Sequence, residues 1–236
     1  MHTTLTASRR KFLTLAGASA GAFMLGSGNV ALAGEAQDQL VEKAKFTIAD
    51  LATRSEMDQF RSLLAVAKGV VIFPQVLKAG FFVGGAGGSG VLLGKDDVNG
   101  WSSPAFYTMG QGSIGLQFGA QVNELVLVVM TEKGLQAIIN NQVKLGGDLS
   151  AAVGPVGTTL GASTTTNMKV DVFSFAISKG LFIGASVEGS ILSSNTDSNE
   201  SYYGRPVSAR QLVIERTISN PQADGLKAEL MKVERK

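Results

Sequence analysis

Apolar positions recur at helical spacing from Glu35 to Lys68 and then switch to a period of two, so the chain reads as helices followed by a sheet. At 100° per residue Leu40, Val41, Ala44, Ile48, Leu51 and Ala52 share one side of a first helix. Phe46 projects near the opposite side, between Glu42 and Asp50. Ser55 followed three residues later by Asp58 has the form of a capping box, which predicts a second helix with Met57, Phe60, Leu63, Leu64 and Ala67 as its buried stripe. After Gly69 the residues become β-branched, aromatic and glycine-rich, as strands and tight turns require.

The pattern predicts a strand over 70–73 stopped by Pro74, a strand over 80–93, and a hairpin turn at Asp96-Asp97-Val98-Asn99-Gly100. Alternation is cleanest over 113–121, with Ile114, Leu116, Phe118 and Ala120 on one face. The unbroken apolar run 125–130 predicts a strand covered on both faces. A helix over 132–140 is expected, capped by Thr131. Further strands are expected near 149–153, 158–164, 169–178 and 181–192, and the polar run 193–201 reads as a loop. Residues 210–216 fit strand or helix, and Pro221 opens a final helix through Leu226, Leu230 and Val233.

Laid on itself with an offset of 100 residues, the chain matches Gly80-Phe81-Phe82-Val83-Gly84 to Gly180-Leu181-Phe182-Ile183-Gly184. Glycines flanking an aromatic ring in a strand let a sheet coil tightly. The fold class expected is therefore α+β: a strongly curved, mostly antiparallel, barrel-like sheet with two N-terminal helices, a short central helix and a C-terminal helix.

The first residues read as an export signal. Arg9 and Arg10 precede a mildly apolar Gly/Ala-rich stretch, and Ala31-Leu32-Ala33 supplies small residues where a signal peptidase cuts. The apolar run of about 14 residues is short for a membrane span. Residues 1–33 are thus expected to be a cleaved twin-arginine-type signal, and 34–236 a single domain working outside the cytoplasm. Losing Arg9, Arg10 and Lys11 leaves 18 basic against 19 acidic residues, a net charge of −1. The basic balance of the whole chain comes from the targeting segment, so no nucleic-acid partner is expected.

The chain has no cysteine, and its one histidine is His2. Residues 34–236 thus offer no disulfide, thiolate metal site, Ser-His-Asp triad or imidazole acid-base step. Gly85-Ala86-Gly87-Gly88-Ser89-Gly90 satisfies the dinucleotide-binding pattern letter for letter, but strand-forming Val91-Leu92-Leu93 follows where a helix should begin. Ser113 has no histidine to activate it, and Asp96-Asp97 reads as a solvated loop tip. No cofactor, metal or catalytic residue is expected.

Basic residues carry the binding expectation. Arg61 and Lys68 are seven apart, within about 20° on a continuous helix, where they can reach phosphates from the rim of its apolar stripe. Lys78, before the glycine-rich strand, is a third candidate, and Phe46 is the candidate apolar anchor.

Six blocks in order are similar to the SYLF domain family: 67–74 (AKGVVIFP), 78–85 (KAGFFVGG), 101–107 (WSSPAFY), 112–117 (GSIGLQ), 154–157 (GPVG) and 178–182 (SKGLF). The resemblance implies a lipid-binding module. Eukaryotic members are associated with phosphoinositide or phosphatidic acid membranes, and fungal ones with actin. Here it implies non-enzymatic binding of an anionic phospholipid surface in the cell envelope by a peripheral protein, with actin not an expected partner in that compartment. Two alternatives stay open: an envelope protein-interaction module using the glycine-rich sheet face or the Phe46 side, and a lipid-modifying enzyme using Asp, Lys or Tyr.

Overall fold

The computed structural model describes residues 28–54, 57–80, 83–114, 121–140, 142–154, 170–178, 181–183 and 186–234. Helix α1 (Gly28–Thr53) and helix α2 (Asp58–Val66) lead into strands β1 (Gly69–Gly80), β2 (Val83–Asp96), β3 (Gly100–Trp101), β4 (Ala105–Ile114) and β5 (Gln121–Val129). Helix α3 (Glu132–Asn140) follows, then β6 (Val143–Lys144), β7 (Ala151–Val153), β8 (Val172–Ser178), β9 (Leu181–Ile183) and β10 (Ile191–Ser194). Helices α4 (Thr196–Tyr203), α5 (Ala209–Val213) and α6 (Asp224–Glu234) complete the described chain, with a 3-10 turn at Pro221–Ala223 before α6.

The strands form one strongly curled half-barrel sheet in the order β6-β10-β4-β2-β1-β5-β8-β7, with β3 on β2 and β9 on β8. All pairs are antiparallel except β7 with β8. This is the α+β architecture the periodicity predicts, with helices from both ends of the chain against the sheet.

Burial explains the unbroken apolar strands. On one face Val70, Ile72, Val91, Val126 and Val128 pack under α1, α2 and α6 through Ile48, Phe60, Leu64, Leu226 and Leu230. On the other, Val71, Phe73, Leu92, Leu127 and Val129 pack against Leu135 and Ile138 of α3 and Leu212 of α5. Central strands covered on both faces have no solvated side and so no alternation.

Strand β1 does not stop at Pro74. Its register to both neighbours slips by one residue between Ile72 and Leu77 on the β2 side and between Phe73 and Val76 on the β5 side. The missing N–H of proline is tolerated at such a bulge. The bulge also accounts for glycines in β2. A Cβ at Gly88 would run into the Gln75 carbonyl, and one at Gly90 into the Ile72 carbonyl and the Phe73 ring. A ring over glycine recurs where Phe175 lies against Gly154. The Gly80-Phe82-Gly84 and Gly180–Gly184 rings named from the sequence lie outside the described side chains, as do the 113–121 face pattern and the strand expected at 158–164.

Several boundaries differ from the sequence expectation. α1 begins at Gly28, so Ala31 and Ala33 lie within it. α2 begins at Asp58, with Met57 at its cap position and no side-chain capping bond. Ser55, offered as the cap, lies outside the described residues. The stretch expected as one strand over 181–192 divides into β9 and β10 around a turn with Gly189 at φ +80°. The polar run 193–201 is helical from Thr196: the Asn195 carboxamide oxygen accepts from the Ser198 amide at 3.0 Å, and Gly204 ends α4 at φ +69°. Of the ambiguous stretch 210–216, residues up to Val213 belong to the short helix α5, which opens on a Ser208–Gln211 capping box, and 214–216 lie beyond its end.

A buried carboxylate ties α3 to the sheet. Asp171, just before β8, accepts hydrogen bonds from the Thr131 hydroxyl (2.6 Å), the Ser150 hydroxyl (2.9 Å) and the Ser150 amide (3.1 Å). Thr131 in turn caps α3, its oxygen accepting from the Gly134 amide at 3.0 Å. Burial acts to raise the Asp171 carboxyl, but the bonds from Thr131 and Ser150, with Lys133 nearby, outweigh it and hold the group below its ordinary value of 3.8.

Two outcomes follow from this packing. Gly90→Ala should lower the unfolding free energy by about 1–3 kcal/mol, because backbone and ring occupy the added methyl's place. Gly110→Ala, which meets open space, should stay within about 0.5 kcal/mol of the parent; equal denaturation midpoints for the two variants would contradict the bulge account. The contribution of Asp171, whose folded value is depressed, is present in full above its unfolded value and is lost as pH falls through the folded one. Asp171→Asn should therefore melt lower at neutral pH and show a flatter melting-temperature profile below about pH 4. Parallel acid profiles for parent and variant would count against the role given to this carboxylate.

Candidate functional site

The structure separates the residues that spacing had grouped. Arg61 lies on α2, where its Nη1 donates to the carbonyls of Ala52 (2.9 Å) and Arg54 (3.2 Å) while Nη2 pairs with Asp58. These carbonyls lie at the C-terminal end of α1, where the last turn lacks intrahelical donors, so the guanidinium closes that end. Lys68 is not on the helix. α2 ends at Val66, and Lys68 is the residue that joins β1 to its neighbours, donating to the Val129 carbonyl at 2.8 Å and accepting from the Lys95 amide at 2.9 Å through its backbone. The shared helix face assumed for Arg61 and Lys68 therefore does not form.

Lys78 stands on β1 opposite Ala86 and Gln121. At about 3.3 Å per residue, ten residues of strand put it roughly 33 Å from Lys68. Phe46 is 60% exposed on the outer side of α1, as its position on the helix predicts, and the Lys45 ammonium stands 5.1 Å from its ring centre. Glu42 pairs with Lys45 and Asp50 with Arg54 on the same helix, so the ring sits in a charge-balanced surround. Arg9 and Arg10 lie outside the described residues.

Around Lys68 the fold gathers a different set. The β2–β3 hairpin carries Val98 at its tip, 91% exposed. Asp96 shapes that tip by accepting from the Val98 amide (2.8 Å) and the Asn99 amide (2.6 Å), and Gly100 turns the chain at φ +67°. The Asn99 amide first, then its carboxamide, with smaller help from Val98 and Arg216, hold the Asp96 carboxyl below its ordinary value. Arg216 pairs with Asp96 at 3.1 Å and donates to the Gly100 carbonyl at 2.8 Å. Lys95 bonds the Ala65 carbonyl at the end of α2 and Glu234 at the end of α6, each at 2.6 Å.

These bonds bring the ends of α2, β2 and α6 and the segment after α5 to one end of the sheet. Val66 (63% exposed), Val98 and Ile214 (36%) project there beside Lys68, Lys95 and Arg216. The Lys68 ammonium takes part in none of the ion pairs formed at this end among the described residues. In the sequence, Arg235 and Lys236 directly follow Glu234. Exposed aliphatic side chains interleaved with cations suit a surface that is apolar below and anionic above. Of this set, sequence reading found Lys68. Val98 was legible as the tip of a turn, whereas the exposure of Val66 and Ile214 depends on how α2 and α5 end.

Two further features of the described residues bear on the site. These residues contain no cluster of three or more His, Cys, Asp or Glu that could hold a metal, and no helix long and apolar enough to cross a membrane. The buried phenols are structural: Tyr107 donates to the Ile138 carbonyl at 3.0 Å and Tyr203 to the Pro104 carbonyl at 2.6 Å, and burial pushes both hydroxyls upward in pKa.

A family model described as Ysc84, Las17-binding protein actin regulator, matches residues 110–233. The SH3 domain-containing protein PJ696.02 of Schizosaccharomyces pombe is 34% identical over 168 residues, 70% of this chain and 39% of that protein. Human SH3 domain-containing YSC84-like protein 1 is 32% identical over 165 residues, covering 70% and 48%. Protein YSC84 of Saccharomyces cerevisiae is 33% identical over 167 residues, covering 70% and 36%. The match thus spans between about a third and a half of the length of these relatives. With more than half of its residues matched by the family model, the chain belongs to the Ysc84/SYLF family.

Proposed function

We propose that the domain binds the surface of an anionic phospholipid membrane without catalysis, using the end of the sheet that carries Val66, Lys68, Val98 and Ile214. The carrying observation is the hairpin tip, where a 91% exposed valine stands on a turn braced by Asp96 and Arg216, on a hairpin whose Lys95 amide bonds the carbonyl of Lys68, a lysine outside the local ion pairs. A net charge of −1 over residues 34–236 gives no long-range attraction to anionic lipid, so a local arrangement of this kind has to supply it. The twin-arginine pattern supports a peripheral position on a membrane outside the cytoplasm. Membership in the Ysc84/SYLF family supports a binding module rather than an enzyme.

A protein partner is the second reading, and Phe46 favours it. The ring is exposed on a helix face where Glu42 and Asp50 are already paired with Lys45 and Arg54, which leaves no net positive charge there to attract an anionic surface. The relatives' printed names point the same way, one family description being Las17-binding and actin regulation.

Flotation of residues 34–236 with anionic and neutral vesicles tests the proposal. Lys68→Ala should weaken anionic-vesicle binding about fivefold, from roughly 1 kcal/mol per basic group near the surface. Val98→Asp should weaken it about tenfold or more, from the roughly 1.5 kcal/mol of an apolar side chain withdrawn from water. Arg61→Gln should instead lower the melting temperature, because it uncaps α1. Anionic-vesicle binding that ignores both Lys68→Ala and Val98→Asp would overturn the assignment of this end. For the export route, Arg9→Lys with Arg10→Lys should leave the full chain unprocessed inside the cell; normal processing of that double variant would contradict the twin-arginine reading.

A further inference from the structure

Towards the other end of the sheet, a carboxamide is buried with nothing to bond. Asn123 on β5 is 3% exposed, and neither its Oδ1 nor its Nδ2 has a hydrogen-bond partner among the described residues. Its neighbours in register are Val76 on β1 and Ser178 on β8. The side chain faces a cavity of about 20 Å³ lined by Val76, Met109, Leu125 and Val187, with Gln111 and Ser186 as the other polar residues. Gln111 is already engaged, its Nε2 donating to the Glu188 carbonyl at 2.9 Å, which straps the segment 186–189 over the cavity. The Ser186 hydroxyl accepts from the Glu188 amide at 3.4 Å. Asn123 is thus the one of these three polar side chains with neither its donor nor its acceptor engaged among the described residues.

A buried amide with both ends unmatched is costly, and natural structures complete such groups. The space admits about one non-hydrogen polar group. An ammonium would satisfy Oδ1 and leave Nδ2 unpaired, a carboxylate would do the reverse, and a second carboxamide would not fit. A hydroxyl both donates and accepts. Next to the cavity, and sharing Ala86, Met109 and Gln111 with it, runs an open crevice of about 570 Å³ floored by Gly110 and Gly112 and flanked by Thr108 and Ile191. A Cβ at either glycine would meet nothing within 4 Å, so the floor is bare backbone. None of the described residues lining cavity or crevice is charged.

We propose that this cavity is a recognition pocket for a single hydroxyl at the end of a slim, uncharged ligand of the polyol or sugar class, with Asn123 as its hydrogen-bonding residue and the glycine floor as the bed for the rest of the molecule. The pocket lies away from Val66 and Val98, so it does not depend on the membrane reading. The hydroxyl chemistry has two sources, a polyol and a lone water, and titration separates them.

The probe is glycerol, followed by NMR of the Asn123 side-chain amide and the Met109 methyl in residues 34–236, with glycerol 3-phosphate as the charged control. The expected result is a saturable shift of both signals with glycerol, at least tenfold weaker with glycerol 3-phosphate, and absent at Met109 in Asn123→Leu. Removing an unmatched amide should leave that variant as stable as the parent or more so. If it fails to fold, Ala86→Leu carries the same test, because it fills the cavity from a half-buried position and leaves Asn123 in place. A shift that grows linearly without saturation, or that persists unchanged in Asn123→Leu or Ala86→Leu, means that the cavity holds water only and overturns the proposal. Equal response to the charged control overturns the uncharged ligand class.

Discussion

The close passage of β1 across β2 is the constraint on which this domain rests. β1 is bonded on both sides, to β2 and β5, and is buried from Gly69 through Pro74, with Gln75 and Leu77 exposed just beyond, so it has no free edge that could absorb an irregularity. Pro74 nevertheless introduces one, and the displaced carbonyls of Ile72 and Gln75 project toward β2 where Gly90 and Gly88 leave room. Bulges of this kind bend a strand and increase its twist, which is how a sheet of this width curls instead of lying flat. Within the run 85–90 that imitates a nucleotide-binding loop, Gly88 and Gly90 are thus the steric complement of a proline bulge in the neighbouring strand.

Curling distributes chemistry along the strand direction. Val98 to Asn123 contains no charged residue, and that stretch builds β4 and the crevice beside it. At the opposite end Lys95 pairs with Glu234, Lys133 with Asp171 and Arg216 with Asp96, and Val66 and Val98 are exposed. The end with cations and aliphatics suits a charged lipid surface, and the uncharged, side-chain-poor crevice suits a neutral molecule.

How far the sequence disclosed this depends on the range of the interactions concerned. Elements with a local cause were legible: the two-faced strand 125–129 from its unbroken apolar run, α3 from Thr131 as cap, the final helix from Pro221, and the turn at Asn99-Gly100. α4 was not, because 196–203 has no apolar stripe. It is held by a local cap at Asn195 and by Asn199, whose Oδ1 accepts from the distant Phe106 amide at 2.8 Å. The site was less legible still. Seven-residue spacing put Arg61 and Lys68 on one helix face only if the helix continued, and it ends at Val66. The Ala52 and Arg54 carbonyls that occupy Arg61, and the strand neighbours that bury Asn123, are products of tertiary packing that periodicity does not contain.

The most direct test of the central claim, that the hairpin end meets the membrane, uses the absence of cysteine in this chain. A single environment-sensitive fluorophore attached at Val98→Cys, and separately at Phe46→Cys and Ile191→Cys, would be compared before and after addition of anionic vesicles. A blue shift and protection from an aqueous quencher at position 98, with positions 46 and 191 remaining in water, is the result the account predicts. Burial at position 46 or 191 with position 98 left in water would contradict it.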